Sequence, residues 1–446
     1  MNPVSIEKNM KVLIVGGGGR EHVILDMISR SKHEPRLYAA PGNSGMEKLA
    51  KCVNISVMDF EGIRDYCLNE KIDFVIVSPD DPLSGGLVDV LEKAGLSCFG
   101  PRGNAAQIEG SKAFAKNFMK EEKIPTANFE IVENYEDAKA FVDGYKDEDF
   151  PLVVKVDGLA LGKGVYICQD RKKAEEAIND IMLDKKFGES GNKIVFEEFL
   201  TGPEITLLCF TDGTRVYPLL SSMDHKTVYE GNKGPNTGGM GVVAPNPFFT
   251  KEVEEEVFEK IVNPTVLGMK RIGREFRGCL YVGLMATPKG VKVIEYNCRF
   301  GDPEAECILP LLESDLLEMM VDISNGELNY APKFKKGYSA TVMVCSGGYP
   351  VKYEKGKTIT FDGGEESILS DVQEIYHSGT KWKDEEKNQY ATNGGRVLAC
   401  CAQAETMERA ISMAYDIAKK VNFEGAFYRK DIGAEAMKEI LRNGGK

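Results

Sequence analysis

No two of the eleven cysteines are spaced Cys-x-x-Cys, so neither a zinc ribbon nor a thiol redox pair is indicated, and an odd count does not make a full disulfide set. No run of apolar residues approaches the length needed to cross a bilayer. The opening stretch Met-Asn-Pro-Val-Ser-Ile-Glu-Lys-Asn-Met lacks a signal core. Basic residues are in deficit, 56 against 69 acidic ones, giving a net charge of -13 and a pI near 5.1. That balance speaks against broad binding to nucleic acid or anionic membranes. The expectation is a cytoplasmic protein that meets any anionic substrate with local cations. At 446 residues the chain is too long for one core, and about three domains are expected.

Two familiar nucleotide motifs are also missing. Lys11 to Val15 reads as a strand entering Gly16-Gly17-Gly18-Gly19-Arg20-Glu21-His22 and then a helix, which would put backbone amides at a helix N-terminus where an anion is favoured. Glu21 takes the place of the last glycine of a dinucleotide fingerprint, and the next strand ends in Pro41-Gly42-Asn43 instead of a ribose-binding acid. Asp157 to Val165 holds Gly158, Gly162, Lys163 and Gly164, but in the wrong spacing for a P-loop and with a strand to follow. It reads as a flap over phosphates, with a plain glycine hairpin as the competing account.

What is present is organised around Val291 to Glu304, Val-Lys-Val-Ile-Glu-Tyr-Asn-Cys-Arg-Phe-Gly-Asp-Pro-Glu. Unbroken alternation would place Val291, Val293, Glu295, Asn297 and Arg299 on one face. A carboxylate and an amide oxygen two residues apart suit Mg²⁺ or Mn²⁺, which take oxygen ligands and share phosphate oxygens with a nucleotide. Alternation turns Cys298 the other way, into the core. Upstream, βαβ order through residue 94 implies a parallel sheet, with Gly16 to His22, Pro41 to Ser44 and Ser78 to Leu83 at the carboxyl ends of its strands. Lys155 lies inside an apolar strand and must be paired or reach a cleft. Glu197 and Glu198 end another. The stretches 221–226 and 231–241 have no apolar periodicity and read as functional loops. His225 alone reads as a satisfied structural histidine, while Asp224 and Lys226 beside it point to a ligand-contacting turn.

In this order the segments closely resemble the phosphoribosylamine-glycine ligases, also called glycinamide ribonucleotide synthetases, of the ATP-grasp superfamily. The resemblance rests on Gly-Gly-Arg-Glu-His at 18–22, Ala-Pro-Gly-Asn at 40–43, Glu-Gly-Ser-Lys-Ala-Phe-Ala-Lys at 109–116 and Gly-Pro-Asn-Thr-Gly-Gly-Met-Gly at 234–241. Asn-Cys-Arg-Phe-Gly-Asp-Pro-Glu at 297–304 and Gly-Gly-Arg-Val-Leu at 394–398 complete it. It implies an α/β fold, α+β in parts: an N-terminal parallel-sheet domain over 1–104, a two-lobed ATP-grasp domain over 105–330 with its smaller lobe near 124–198, and a small C-terminal β-rich domain over 331–446.

It also implies a reaction, ATP plus glycine plus 5-phospho-β-D-ribosylamine giving glycinamide ribonucleotide, ADP and phosphate, in purine synthesis. A related ligase with another acid or amine is the alternative. On the family's pattern Glu295 and Asn297 bind the metal. Lys112 and Lys155 contact ATP phosphates under the flap of Gly158, Gly162, Lys163 and Gly164, while Glu197, Glu198, Leu200 and Glu204 border the nucleoside. Gly18, Arg20, Glu21, Pro41, Gly42, Asn43, Asp80, Pro82, Pro235 and Thr237 hold phosphoribosylamine and glycine, and Arg299, Asp302, Asp224 and Lys226 serve the chemistry. No nucleic-acid or membrane partner is expected, and the oligomeric state is a monomer or weak homodimer. Two positions depart from the family: Ser78-Pro79-Asp80 stands where Gly-Pro-Glu is usual, and Thr227 where arginine often follows the lysine. The segment Tyr281 to Met285 also lacks the extra acid that many ATP-grasp enzymes carry there.

Overall fold

The computed structural model describes residues 3–159 and 164–444. The chain opens with β1 (Lys11–Gly16), α1 (Gly19–Ser29), β2 (Arg36–Pro41), β3 (Lys51–Cys52), α2 (Phe60–Glu70), β4 (Phe74–Val77), α3 (Asp80–Ser84), α4 (Leu87–Lys93) and β5 (Ser97–Phe99). The five strands form one parallel sheet in the order β3-β2-β1-β4-β5. Strands β1 and β4 are almost wholly buried, as a sheet covered on both faces requires. A single helix reads naturally through 83–94, yet Gly85 and Gly86 break it into α3 and α4. Likewise Ser111 splits 103–121 into α5 (Gly103–Gly110) and α6 (Lys112–Glu121), its hydroxyl accepting from the Phe114 amide as an N-cap.

Next come β6 (Phe129–Val132), α7 (Tyr135–Gly144), β7 (Leu152–Val156), β8 (Val165–Cys168), α8 (Arg171–Ile178) and β9 (Ile194–Glu198). These strands make a separate antiparallel sheet, β6-β9-β7-β8, with its own apolar core around Val154, Ile178 and Phe196. Five strands follow, β10 (Glu204–Thr211), β11 (Val216–Asp224), β12 (Thr227–Tyr229), β13 (Lys233–Asn236) and β14 (Gly241–Ala244). After α9 (Lys251–Val257) and α10 (Asn263–Arg271) follow β15 (Gly278–Thr287), β16 (Gly290–Asn297), α11 (Glu304–Ile308) and α12 (Leu316–Asn325). The tail holds β17 (Tyr338–Cys345), β18 (Thr360–Phe361), β19 (Gln373–His377), β20 (Thr380–Asp384), β21 (Gln389–Thr392), β22 (Arg396–Ala404), α13 (Met407–Ala418), β23 (Val421–Asn422) and α14 (Ala434–Arg442). Of the two stretches read as functional loops, 221–226 begins within β11 and 231–241 supplies β13 and the start of β14.

The large sheet runs β16-β15-β10-β11-β14-β17-β22-β19, so strands of the tail continue the sheet that carries the central site. One apolar core reaches from Val12 and Ile24 through Phe300 and Leu317 to Val342 and Ala410. Met407, Ala410, Ala414 and Ile417, recurring at three and four residues, form the face α13 buries on that sheet, while Ile411 is only partly buried and Val421 belongs to β23.

One expectation about the organising strand is corrected. Gly283 faces Glu295 across the β15–β16 ladder while Leu284 faces Val293, which leaves Ile294 as an extra residue in a bulge. The bulge inverts the alternation. Val291, Val293, Tyr296 and Cys298 enter the core, and Lys292, Glu295 and Asn297 turn the other way. The five residues from Val291 to Arg299 therefore do not share a face, and the core valines and site acids of one short strand are both accommodated.

Candidate functional site

Glu295 sits among three lysines. Lys226, just beyond β11, places Nζ 3.1 Å from Glu295 Oε1 and 3.5 Å from the Tyr281 hydroxyl. The Lys226 charge, opposed by burial and reinforced by Lys155 and Lys112, draws the Glu295 carboxyl down to about 2. Asn297 lies two residues on, its Oδ1 accepting from Arg299 at 3.3 Å. Carboxylate and amide oxygens two residues apart form a donor set of the hard type, and Glu295 already faces a cation in Lys226, so the residues present fit a divalent ion.

The small sheet delivers the other charges. Val153 pairs with Glu197 and Lys155 with Val195 across β7 and β9, which brings Lys155 and Glu197 diagonally together on one face. Glu197, buried, accepts a salt bridge of 2.9 Å from Lys155 on one oxygen and another of 2.9 Å from Lys116 on the other. Burial, with Lys155 nearby, lowers Lys116 to about 8 in spite of Glu197. Lys112 donates to the Gly158 carbonyl at 3.2 Å and is lowered by burial. Asp157 joins the flap to α6, its Oδ1 accepting from the Ser111 hydroxyl at 2.9 Å and the Ala113 amide at 2.7 Å. Gly162 and Lys163 lie outside the described residues, whereas Gly164 accepts from the Val156 amide at 2.9 Å. At the rim Glu198 binds Lys292 at 2.5 Å and the Asn128 side chain at 3.0 Å, with the partly exposed Leu200 and the exposed Glu204 beyond it.

A second charged cluster joins the parallel sheet to the turn after β16. Arg299 pairs with buried Glu109 at 2.9 Å, and Glu109 also accepts from the Cys298 amide at 2.7 Å. Burial disfavours the ionised Asp80, but the guanidinium groups of Arg299 and Arg20 outweigh it and hold that carboxyl below its usual range. Asp80 opens α3 with Pro82 buried behind it, so the acid shorter by one methylene faces two arginines. Asp224, pushed well above the usual carboxylate range by burial and by Glu304, accepts from the His225 amide at 2.7 Å.

Several predicted residues are consumed within the protein. Glu21 accepts from the Gly18 amide (2.7 Å), Arg20 Nε (2.7 Å) and the Ser78 hydroxyl (2.6 Å), bracing the glycine loop. Asn43 donates to Gly17 O at 2.9 Å and His377 O at 2.7 Å, and accepts from the amides of Gly45 and Met46. Thr237 donates to Lys226 O at 2.8 Å, and Pro235 is exposed on β13. His225 lies between the Gly241 carbonyl at Nδ1 and the Gly433 amide at Nε2, which makes it a structural neutral histidine; burial lowers it to about 4.

The tail contributes what sequence reasoning missed. A cavity of about 330 Å³ is lined by Gly17, Gly18, Gly42 and Asn43 from one side and Ser378, Gly379, Thr380, Asn393, Gly394 and Arg396 from the other, with Asp302 between. Arg396 donates to Gly238 O at 2.9 Å and to Asp302 O at 2.7 Å. Glu109, Lys116 and Arg396 all fall inside motifs quoted for the resemblance, so their spacing gave a signal, but no chemistry was attached to them. Glu304 ends the motif at 297–304, and Tyr281 opens the segment read only for a missing acid; both were also passed over.

A small sheet folded against a larger one, with Lys155 of the first, Lys112 and Lys116 of α6 and a carboxylate-amide pair of the second meeting in the cleft, defines an ATP-grasp enzyme. The models for the N domain, the ATP-grasp (A) domain and the C domain of phosphoribosylglycinamide synthetase match residues 10–109, 110–305 and 339–435. The chain is 44% identical over 428 residues to a phosphoribosylamine-glycine ligase of Caldanaerobacter subterraneus, covering 95% of this chain and 100% of that one. It is 42% identical to a bifunctional purine biosynthetic protein of Schizosaccharomyces pombe, covering 95% of this chain and 53% of that protein. Among solved structures, the phosphoribosylamine-glycine ligase of Thermotoga maritima superposes with a TM-score of 0.80 at 32% identity, over 95% of this chain and 100% of that one. A biotin carboxylase of Campylobacter jejuni, at 14% identity and a TM-score of 0.72 over 97% of this chain and 96% of that one, shares the fold. The chain belongs to the phosphoribosylamine-glycine ligase family, whose members are ATP-dependent ligases.

Proposed function

We propose that this enzyme joins glycine to 5-phospho-β-D-ribosylamine at the expense of ATP, as a step of purine synthesis in the cytoplasm. The observation that carries the reading is the Glu295 carboxylate, held ionised by Lys226, Lys155 and Lys112 beside Asn297. Mg²⁺ or Mn²⁺ held by Glu295 and Asn297 would neutralise and orient phosphate oxygens. Lys112 and Lys155 bind the triphosphate, and Glu197 keeps Lys155 extended toward it. A glycine carboxylate oxygen attacks the γ-phosphorus, the bond to ADP breaks, and glycyl phosphate results. The amine of phosphoribosylamine then attacks the carbonyl carbon, phosphate leaves, and the nitrogen loses a proton. Asp224 and Asp302 are the two candidates to receive it, and the raised Asp224 carboxyl accepts it only in its ionised form.

Arg299, fixed by Glu109, and Asp80 orient the sugar and the amino acid. No enzyme nucleophile is needed, so rate arises from positioning and charge neutralisation. The flap between Asp157 and Val165 would keep water from the acyl phosphate. ADP formation measured with and without glycine and freshly prepared phosphoribosylamine tests the reading. Dependence on both supports it, and dependence on a different acid or amine replaces it with the sister activity.

A further inference from the structure

Three distant parts of the chain meet at Gly19. A Cβ there would lie 2.4 Å from Glu306 Oε1 and 2.5 Å from Ser378 Oγ, so only glycine lets the two side chains approach. Glu306 is fully buried, and neither of its oxygens has a hydrogen-bond partner; the buried Ser378 hydroxyl has none either. Unsatisfied polar atoms in such a place call for an explanation. They lie directly behind the cavity that Ser378, Gly17, Gly18 and Arg396 line.

An ionised carboxylate there would face no cation of its own. The charged and titratable groups around it are Arg20 on α1, Asp302 in the turn, and Arg396 and Cys401 on β22. Arg396 is bonded to Asp302 at 2.7 Å, Arg20 to Glu21 at 2.7 Å, and the Cys401 thiol donates to the Glu306 carbonyl at 3.0 Å. Burial and Asp302 both push the Glu306 carboxyl well above its ordinary range.

We propose that Glu306 is a positioning residue that works as a neutral acid: with a phosphate monoester seated in the cavity its hydroxyl donates to Ser378 Oγ, a bond not made in this structure, and the serine hydroxyl turns toward the phosphate. The inference rests on the proposed function, for the monoester is that of the sugar substrate. Loss of the proton would bring a negative charge within one residue of the ligand phosphate and release the serine. Phosphate affinity therefore falls as pH rises through the Glu306 titration.

The test uses the full chain and ribose 5-phosphate, a stable monoester, as the calorimetric probe from about pH 6 to about pH 10. Wild type is expected to lose roughly tenfold in affinity toward the alkaline end, a loss of about one pK unit's worth of linkage. Glu306→Gln, which keeps a donor that cannot titrate, is expected to bind as well as wild type at low pH and to show a flat profile. Ser378→Ala removes the acceptor that the neutral acid takes when the monoester is bound, so the decline begins at lower pH. Isotope-edited infrared difference spectra of wild type minus Glu306→Gln are expected to carry a protonated carboxyl band at neutral pH. Superimposable wild-type and Glu306→Gln profiles, or absence of that band, overturn the proposal. If ADP formation still requires phosphoribosylamine in that case, the function stands and this inference alone fails.

Discussion

Arg396, at the head of β22, closes on Asp302 twice, with Nη2 2.7 Å from the carboxylate and Nη1 2.7 Å from the carbonyl of the same residue. The same Nη1 holds the carbonyls of Gly238 and Gly239, so one side chain of the tail sets the spacing between the loop after β13 and the turn after β16. Gly239 is left without room for a side chain, since a Cβ would lie 2.5 Å from Pro303 and 2.8 Å from Asp224.

Arg396→Met is therefore expected to strip a largely buried carboxylate of its partner and to cost about 3 kcal/mol of stability. Denaturant titration gives that figure. Steady-state kinetics are expected to show a raised KM for phosphoribosylamine with nucleotide affinity unchanged, because no bond of Arg396 reaches the lysines around Glu295.

Glu295→Gln removes the carboxylate that binds Lys226 and faces Lys155 and Lys112. Turnover is expected to fall by about 100-fold or more, in line with the loss of an electrostatic group at a reacting phosphate. Circular dichroism is expected to report an unaltered fold, and metal-dependent ADP release at wild-type rate would contradict the role.

Lys116 carries a pH signature of its own. Its ammonium titrates near 8 when folded, against the higher value of an exposed lysine, so between these values the unfolded chain binds more protons. The Lys116 contribution to stability consequently rises with pH across that window and is flat below it. Lys116→Met is expected to remove the rise, which urea titrations at about pH 7.5 and about pH 9.5 resolve.

Asp157→Ala cuts the two side-chain bonds from Asp157 to the start of α6 and leaves the Lys112 amide on the residue 157 carbonyl. A stability loss of about 1 to 2 kcal/mol is expected, the range of a lost helix cap. A larger fall in ATP affinity than in glycine affinity is expected in calorimetry, since Lys112 donates to the adjoining Gly158 carbonyl.

Much of this was legible in the sequence because the motifs are local. The parallel sheet followed from alternating apolar strands and helices, and Glu295 with Asn297 stood out through residue type. The bulge at Ile294 was hidden, because it depends on how β15 registers against β16 and leaves no mark in the spacing of Val291 to Arg299. Asn43 and Glu21 were recognised by motif, but that their hydrogen-bonding atoms are spent on Gly17, Gly18 and His377 depends on partners more than 300 residues away in one case. Ser378 and Arg396 escaped for the same reason, since their work is done across the fold. Helix breaks at Gly85 and Ser111 needed cap geometry, which periodicity alone does not reveal.

The ladder from β14 to β17 has a consequence for any attempt to shorten the chain. Val242 and Val243 bond Asp224 and Met223 on one side and Thr341 and Ala340 on the other, so the strand bearing Asp224 is one neighbour removed from the tail. A polypeptide ending near Tyr330 would carry an open, sticky border along β14 and would aggregate or stay idle. Supplied separately, a fragment starting before Tyr338 has the complementary border, and mixing the two pieces ought to restore turnover by strand addition.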